Sequence, residues 1–133
     1  MAILLITHNL ALVRDIADCV LVMYAGQIVE TGPAADLLHY PLHPYTRALV
    51  RSIPKLNANV ERLAGIPGTV PRAGEMPPGC RFAPRCSIKR ASCDESMPPL
   101  DEAGPRRRVR CPFWQSTEPS TPIATAKGAR QGA

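Results

Sequence analysis

Residues 2–32 read AILLITHNLALVRDIADCVLVMYAGQIVETG, and their apolar pattern decides the fold class. Ala2 to Ile6 is a continuous apolar run. Its length and branching predict a strand buried on both faces, as in a parallel sheet. The run stops at Thr7-His8-Asn9, where Thr7 or Asn9 is placed to cap a following helix. That helix is predicted from Leu10 to Ala17, with Leu10, Val13, Ile16 and Ala17 on one face. Asp18 closes it. Cys19 to Tyr24 (CVLVMY) predicts a second strand, Ala25-Gly26 a tight turn, and Gln27 to Thr31 a short alternating strand. Gly32-Pro33 ends the pair, and Pro33 opens a short helix through Leu38. Cys19, inside the apolar run, reads as a small buried hydrophobe. The class is α/β, but a strand–helix–strand unit of this size is the end of a sheet. Two or three strands do not bury both faces alone.

Further along, Pro41-Leu42-His43-Pro44-Tyr45-Thr46 predicts a turn leading into a helix over Tyr45–Ser52. Ala48, Leu49 and Ile53 form its expected packing face, and His43 reads as structural. After Trp114 the sequence has few apolar residues and no periodicity, which predicts a disordered tail over 115–133. Fifteen prolines, most of them in the second half, argue for irregular structure there. The net charge of +5 permits anionic partners without selecting one. A nucleic-acid partner is not expected, because one tryptophan, two phenylalanines and three tyrosines offer no interleaved stacking surface. No run reaches the ~20 apolar residues of a membrane-spanning helix. The start lacks the basic leader and cleavage site of a secretory signal, so the expected compartment is the cytosol.

The second landmark is residues 80–111, CRFAPRCSIKRASCDESMPPLDEAGPRRRVRC, which hold four of the five cysteines. The large aliphatic or aromatic residues between them are Phe82, Ile88, Leu100 and Val109. A proline-rich segment so poor in core formers needs another source of order. Unrelated free thiols are the plainest reading, and the clustering speaks against it. A structural zinc ion takes four ligands, which Cys80, Cys86, Cys93 and Cys111 supply, although the usual paired C-x2–4-C is missing. A [4Fe–4S] cluster also takes four cysteines and tolerates wider spacing. Disulfides rank last in a reducing compartment. Arg81, Arg85, Lys89 and Arg90 are expected to lower the thiol pKa values and offset the charge of a metal centre.

His8 stands at the carboxyl end of the first predicted strand, where α/β sheets bind ligands. Position alone makes it a solvated or capping residue. With Met23, Gly26, Glu30 and Gly32 in register behind it, however, the stretch resembles the end of the nucleotide-binding domain of ABC transporters. Asn9 stands where that family usually has aspartate. Pro41 to Leu49 (PLHPYTRAL), Ile66-Pro67-Gly68, Val70-Pro71, Gly79 to Cys86, Cys93 and Cys111-Pro112 narrow the likeness. In this order they resemble the C-terminal extension of the ATP-binding subunits of oligopeptide and dipeptide importers, and the resemblance runs from Ala2 to Trp114.

The resemblance implies the C-terminal remnant of a P-loop NTPase domain over 1–38. A small irregular cysteine-rich extension follows over 39–114. It implies that His8 contacts the γ-phosphate of ATP bound with magnesium and helps to position the attacking water. It also implies a [4Fe–4S] cluster at the four cysteines, ahead of zinc. The implied partners are a second ATP-binding subunit, transmembrane permease subunits and, indirectly, a peptide-binding protein. The implied location is the cytoplasmic face of the plasma membrane, peripheral to it. The chain has no G-x-x-x-x-G-K-[ST] phosphate loop and no LSGGQ-like signature. The Asp-Glu that would bind magnesium precedes the switch histidine in the family and has no counterpart here. The expectation is therefore a fragment of a larger ATPase that does not hydrolyse ATP alone. The alternative is a free-standing metal-binding regulatory module.

Overall fold

A computed structural model describes residues 1–53 and 65–116. Its elements are helix α1 (Leu10–Ile16), strands β1 (Cys19–Tyr24) and β2 (Gln27–Pro33), and helices α2 (Ala34–His39), α3 (Pro44–Arg51) and α4 (Ser92–Glu95). Two short strands, β3 (Asp101–Glu102) and β4 (Arg108–Val109), complete a sheet of order β1-β2-β4-β3. Every pairing in it is antiparallel.

The β1–β2 hairpin forms where the sequence predicts it. Ala25 (φ 47°) and Gly26 (φ 79°) both adopt positive φ, the backbone that matches the twist of a two-residue hairpin. The register slips between Val22 and Met23, so that Val29 is an extra residue on β2. Beyond it, Glu30 and Thr31 pair with Val109 and Arg108 of β4. The sheet thus takes one hairpin from the start of the chain and one from the cysteine-rich stretch.

The core holds Val20, Val22, Tyr24, Val29, Leu37, Leu38, Val50 and Phe82. Tyr24, Tyr45 and Phe82 make an aromatic triad with ring centroids 4.7 to 5.4 Å apart. Phe82 lies between two of the clustered cysteines. The segment without a core of its own therefore lends an anchor to the core of the first half, burying it to 3% exposure.

Two expectations are corrected here. Ala2 to Ile6 forms no strand, and Ile3, Leu4 and Ile6 are 77 to 90% exposed. A strand buried on both faces needs neighbours on both sides, and among the described residues none pairs with it. Cys19 is exposed rather than buried, because β1 alternates strictly. Val20, Val22 and Tyr24 face the core, while Cys19, Leu21 and Met23 face out.

The helices follow the predicted ranges within a residue or two. Asn9 caps α1, its Oδ1 accepting from Leu12 N at 3.3 Å, and Thr7 Oγ1 accepts in turn from Asn9 N. Leu10, Val13 and Ala17 pack on the core, but Ile16 is exposed. In α3 Thr46, Arg47 and Val50 are buried, and of the expected face Leu49 packs partly buried on the core. Of the tail predicted over 115–133, Gln115 and Ser116 belong instead to a short 3-10 turn (Trp114–Ser116), and the residues from 117 on lie outside the described residues.

Candidate functional site

The turns of the cysteine-rich stretch run from one cysteine to the next. Cys80 N donates to Cys93 O at 2.7 Å, Ala83 N to Cys80 O, Cys86 N to Ala83 O, and Lys89 N to Cys86 O. Gly79 makes the first of these contacts possible. A Cβ at this position would collide with the Cys93 carbonyl oxygen and lie 2.7 Å from the Asp94 carbonyl carbon. Cys111 arrives from the other side, directly after β4, where Arg110 N donates to Val29 O of β2 at 2.8 Å.

The result is convergence. Cys80, Cys86, Cys93 and Cys111 all line one cavity of about 20 Å³. The remaining walls include Phe82, Ile88, Pro98, Pro112 and Phe113, with His43 reaching in from the cap of α3. Backbone N–H groups two residues on are aimed at three of the sulfurs: Phe82 at Cys80, Ile88 at Cys86 and Phe113 at Cys111. Such donors stabilise a thiolate rather than a thiol.

Burial nonetheless dominates, and it pushes the Cys80 and Cys86 thiols up and Cys111 up to about 11. The thiols also oppose one another's ionisation across the cavity. This corrects the expectation that the neighbouring cations depress them, because those cations are engaged elsewhere. Arg81 donates to Ala25 O. Arg85 donates to Ile66 O and Pro67 O, both at 2.9 Å, and to the Tyr24 hydroxyl. Lys89 pairs with Asp94 at 2.8 Å, and Arg90 lies 4.1 Å from the centre of the Phe113 ring. The cation that favours a thiolate here is Arg110, beside Cys80.

The donor set suits a thiophilic metal. Four half-buried thiols, three of them with N–H donors behind them, gain most from a cation that replaces their protons. They ring the cavity without closing on a common point. Among the described residues, no three histidine, cysteine or carboxylate side chains are already grouped as a metal site.

A buried polar network backs this cavity; the sequence reading took His43 as structural but did not connect it with Glu30 and Arg107. Glu30, fully buried on β2, accepts from Leu42 N and His43 N at 2.9 Å each and from Arg107 Nη2 at 2.8 Å. Arg107 Nη2 also donates to Tyr40 O at 2.7 Å. His43, 1% exposed, caps α3 by accepting from Tyr45 N on Nδ1 at 3.1 Å and is hydrogen-bonded to the backbone of Arg110. Burial holds its pKa down to about 3, so the ring is neutral. The signal that could have exposed this network was the dipeptide His43-Pro44. Its histidine occupies the cap position that Ser, Thr, Asn or Asp usually takes.

His8 lies elsewhere. It is exposed, just ahead of α1, and does not line the cysteine cavity. No helix among the described residues is long and apolar enough to cross a membrane.

Residues 29–93 match the family described as oligopeptide/dipeptide transporter, C-terminal region. The chain's similarity extends beyond that match. Proteins of Brucella abortus and Brucella suis, named as peptide import ATP-binding proteins, are 49% identical over 118 residues. That alignment takes in 89% of this chain and 35% of the relative. A protein of the same description from Brucella ovis is 45% identical over 121 residues. The chain thus spans about a third of the length of the curated relatives it matches.

Proposed function

We propose that the protein serves as the ATP-binding subunit of a peptide importer, coupling ATP hydrolysis to uptake of oligopeptides or dipeptides. The observation that carries this reading is the transporter C-terminal region at residues 29–93, continuous with the Thr7-His8 motif ahead of it. In this reading residues 1–38 close a nucleotide-binding domain and residues 39–114 form the extension. His8 is the switch histidine at the γ-phosphate of ATP bound with magnesium. An exposed imidazole suits that role, since it can donate to a phosphate oxygen where charge develops. The remaining nucleotide contacts come from the part of the relatives that the aligned residues do not span. Partners are a second ATP-binding subunit, transmembrane permeases and, through them, a peptide-binding protein. The protein sits at the cytoplasmic face of the membrane.

Cys80, Cys86, Cys93 and Cys111 hold a metal centre, a [4Fe–4S] cluster in the first place and a zinc ion in the second. Bound there, the metal centre would cross-link turns that have little core of their own. Anaerobic purification with an absorption spectrum and metal analysis separates the two. Stoichiometric zinc without visible absorption removes the cluster.

The test of function is labelled-peptide uptake in cells lacking the gene for this protein. Uptake should fall, recover with the wild-type gene and stay low with His8→Ala. His8 is exposed, so its loss should shift the stability of the chain by no more than about 0.5 kcal/mol. Unchanged uptake in the deletion strain would sink the proposal.

A further inference from the structure

Cys111 is placed differently from the other three cysteines. Cys80, Cys86 and Cys93 sit on turns that hydrogen-bond to one another. Cys111 instead follows β4, and its position depends on how Arg110 is held. Arg110 N donates to Val29 O, its Nε to Ile28 O and its Nη1 to Pro98 O, at 2.8 to 2.9 Å. Those bonds fix the N–H and the side chain of Arg110. The carbonyl, which is bonded directly to Cys111 N, is left for His43.

The tautomer follows from the partners of the ring. Tyr45 N donates to Nδ1, so Nδ1 carries no hydrogen and Nε2 is the donor. The bond to the Arg110 backbone is therefore an Nε2–H···O=C bond. The ring itself has little freedom. His43 N is held by Glu30 Oε2, Phe82 packs at 5.8 Å between centroids, and the side chain is 1% exposed.

We propose that His43 is a positioning residue for the four-cysteine site: its Nε2–H fixes the Arg110 carbonyl and thereby sets where Cys111 presents its sulfur to a bound metal. This rests on the metal reading given above. A single ring performs two separable tasks. Nδ1 caps α3, which serves stability, and Nε2–H orients the last ligand, which serves metal binding. Residues behind metal ligands typically change affinity ~10–100-fold when removed.

Two substitutions separate the tasks. His43→Asn keeps an acceptor at the Nδ1 position and loses the donor. His43→Gln keeps a donor at the Nε2 position and loses the cap. Cobalt(II) and zinc serve as probes, cobalt through its thiolate charge-transfer and d–d absorption, zinc through competition with a chromophoric chelator. Denaturant unfolding of the metal-free chains reports the cap. We expect H43N to keep most of the stability, lose ~10–100-fold in zinc affinity and show weakened, shifted d–d bands. H43Q should lose stability and retain zinc affinity within ~threefold and a wild-type cobalt spectrum. If metal affinity follows stability in both variants, His43 is only a helix cap and the proposal is overturned. Wild-type chain that binds neither ion and takes up no cluster overturns the metal reading itself, a result visible without either variant.

Discussion

Glu30 should be the most sensitive position in the described structure. Its carboxylate is fully buried and receives two backbone N–H groups and one guanidinium. Truncation to alanine leaves Leu42 N and His43 N without acceptors, at about 1–3 kcal/mol each. It also strands Arg107, whose side chain is 12% exposed, and breaking a buried pair costs about 3–5 kcal/mol. These terms overlap, so we expect about 4–7 kcal/mol, comparable to the whole margin of a small domain. Glu30→Gln keeps one acceptor and removes the charge, and should cost about 2–3 kcal/mol. The assay is urea unfolding followed by far-ultraviolet circular dichroism for E30Q, Arg107→Met and the double variant. Each single variant leaves a buried partner uncompensated, whereas the double variant removes the charge pair together. The double variant should therefore be destabilised by at least about 1.5 kcal/mol less than the two singles combined. Strict additivity, or a loss under about 1 kcal/mol in E30Q, would refute the clamp.

Acid should act through His43. Its pKa lies at about 3 in the folded chain against an ordinary 6.5, so the stabilisation is complete above pH 6.5 and is lost as pH falls from there towards 3. Between pH 6.5 and 4.5 the loss from this group approaches about 2.5 kcal/mol, and H43Q should show a correspondingly flatter dependence in urea titrations over that range. Gly79→Ala drives a methyl group into the Cys93 backbone, and we expect a loss of about 1–3 kcal/mol in urea unfolding together with weaker cobalt binding. An unchanged cobalt titration would show that the Cys80–Cys93 approach does not matter to the site. Burial keeps Cys80, Cys86 and Cys111 protonated at pH 8, so zinc binding should release at least three protons per ion. Calorimetry in two buffers of different ionisation enthalpy measures that number, and a release near one would exclude those thiols as a ligand set.

What the sequence disclosed was local. The hairpin was legible because Ala25-Gly26 and the alternation around it need no distant partner. The opening of α3 was legible in Pro44, and the convergence of the four cysteines in their spacing. What escaped depended on contacts across the chain. Arg85 reads as a cation near two cysteines, yet it serves Tyr24, 61 residues away, and the carbonyls of Ile66 and Pro67. Ala2 to Ile6 has the composition of a buried strand, but composition does not supply the neighbours that a buried strand requires. Strands β3 and β4, two residues each, carry no periodicity to detect. His43 resembled an ordinary turn histidine because its second partner, the Arg110 carbonyl, is set only by the folded chain.

The pairing of β2 with β4 also imposes an order of events. Glu30 and Arg107 are separated by 77 residues. On a growing chain, β1 and β2 can form their hairpin early, but the outer edge of β2 and the Glu30 carboxylate must wait for the last quarter of the sequence to be made. Closing so long a loop is entropically costly, though the cost rises only slowly with length. Until it closes, an open strand edge is available to other chains. A metal that draws Cys111 towards Cys80, Cys86 and Cys93 would shorten that wait, so the supply of metal during synthesis should govern how much of the protein escapes aggregation.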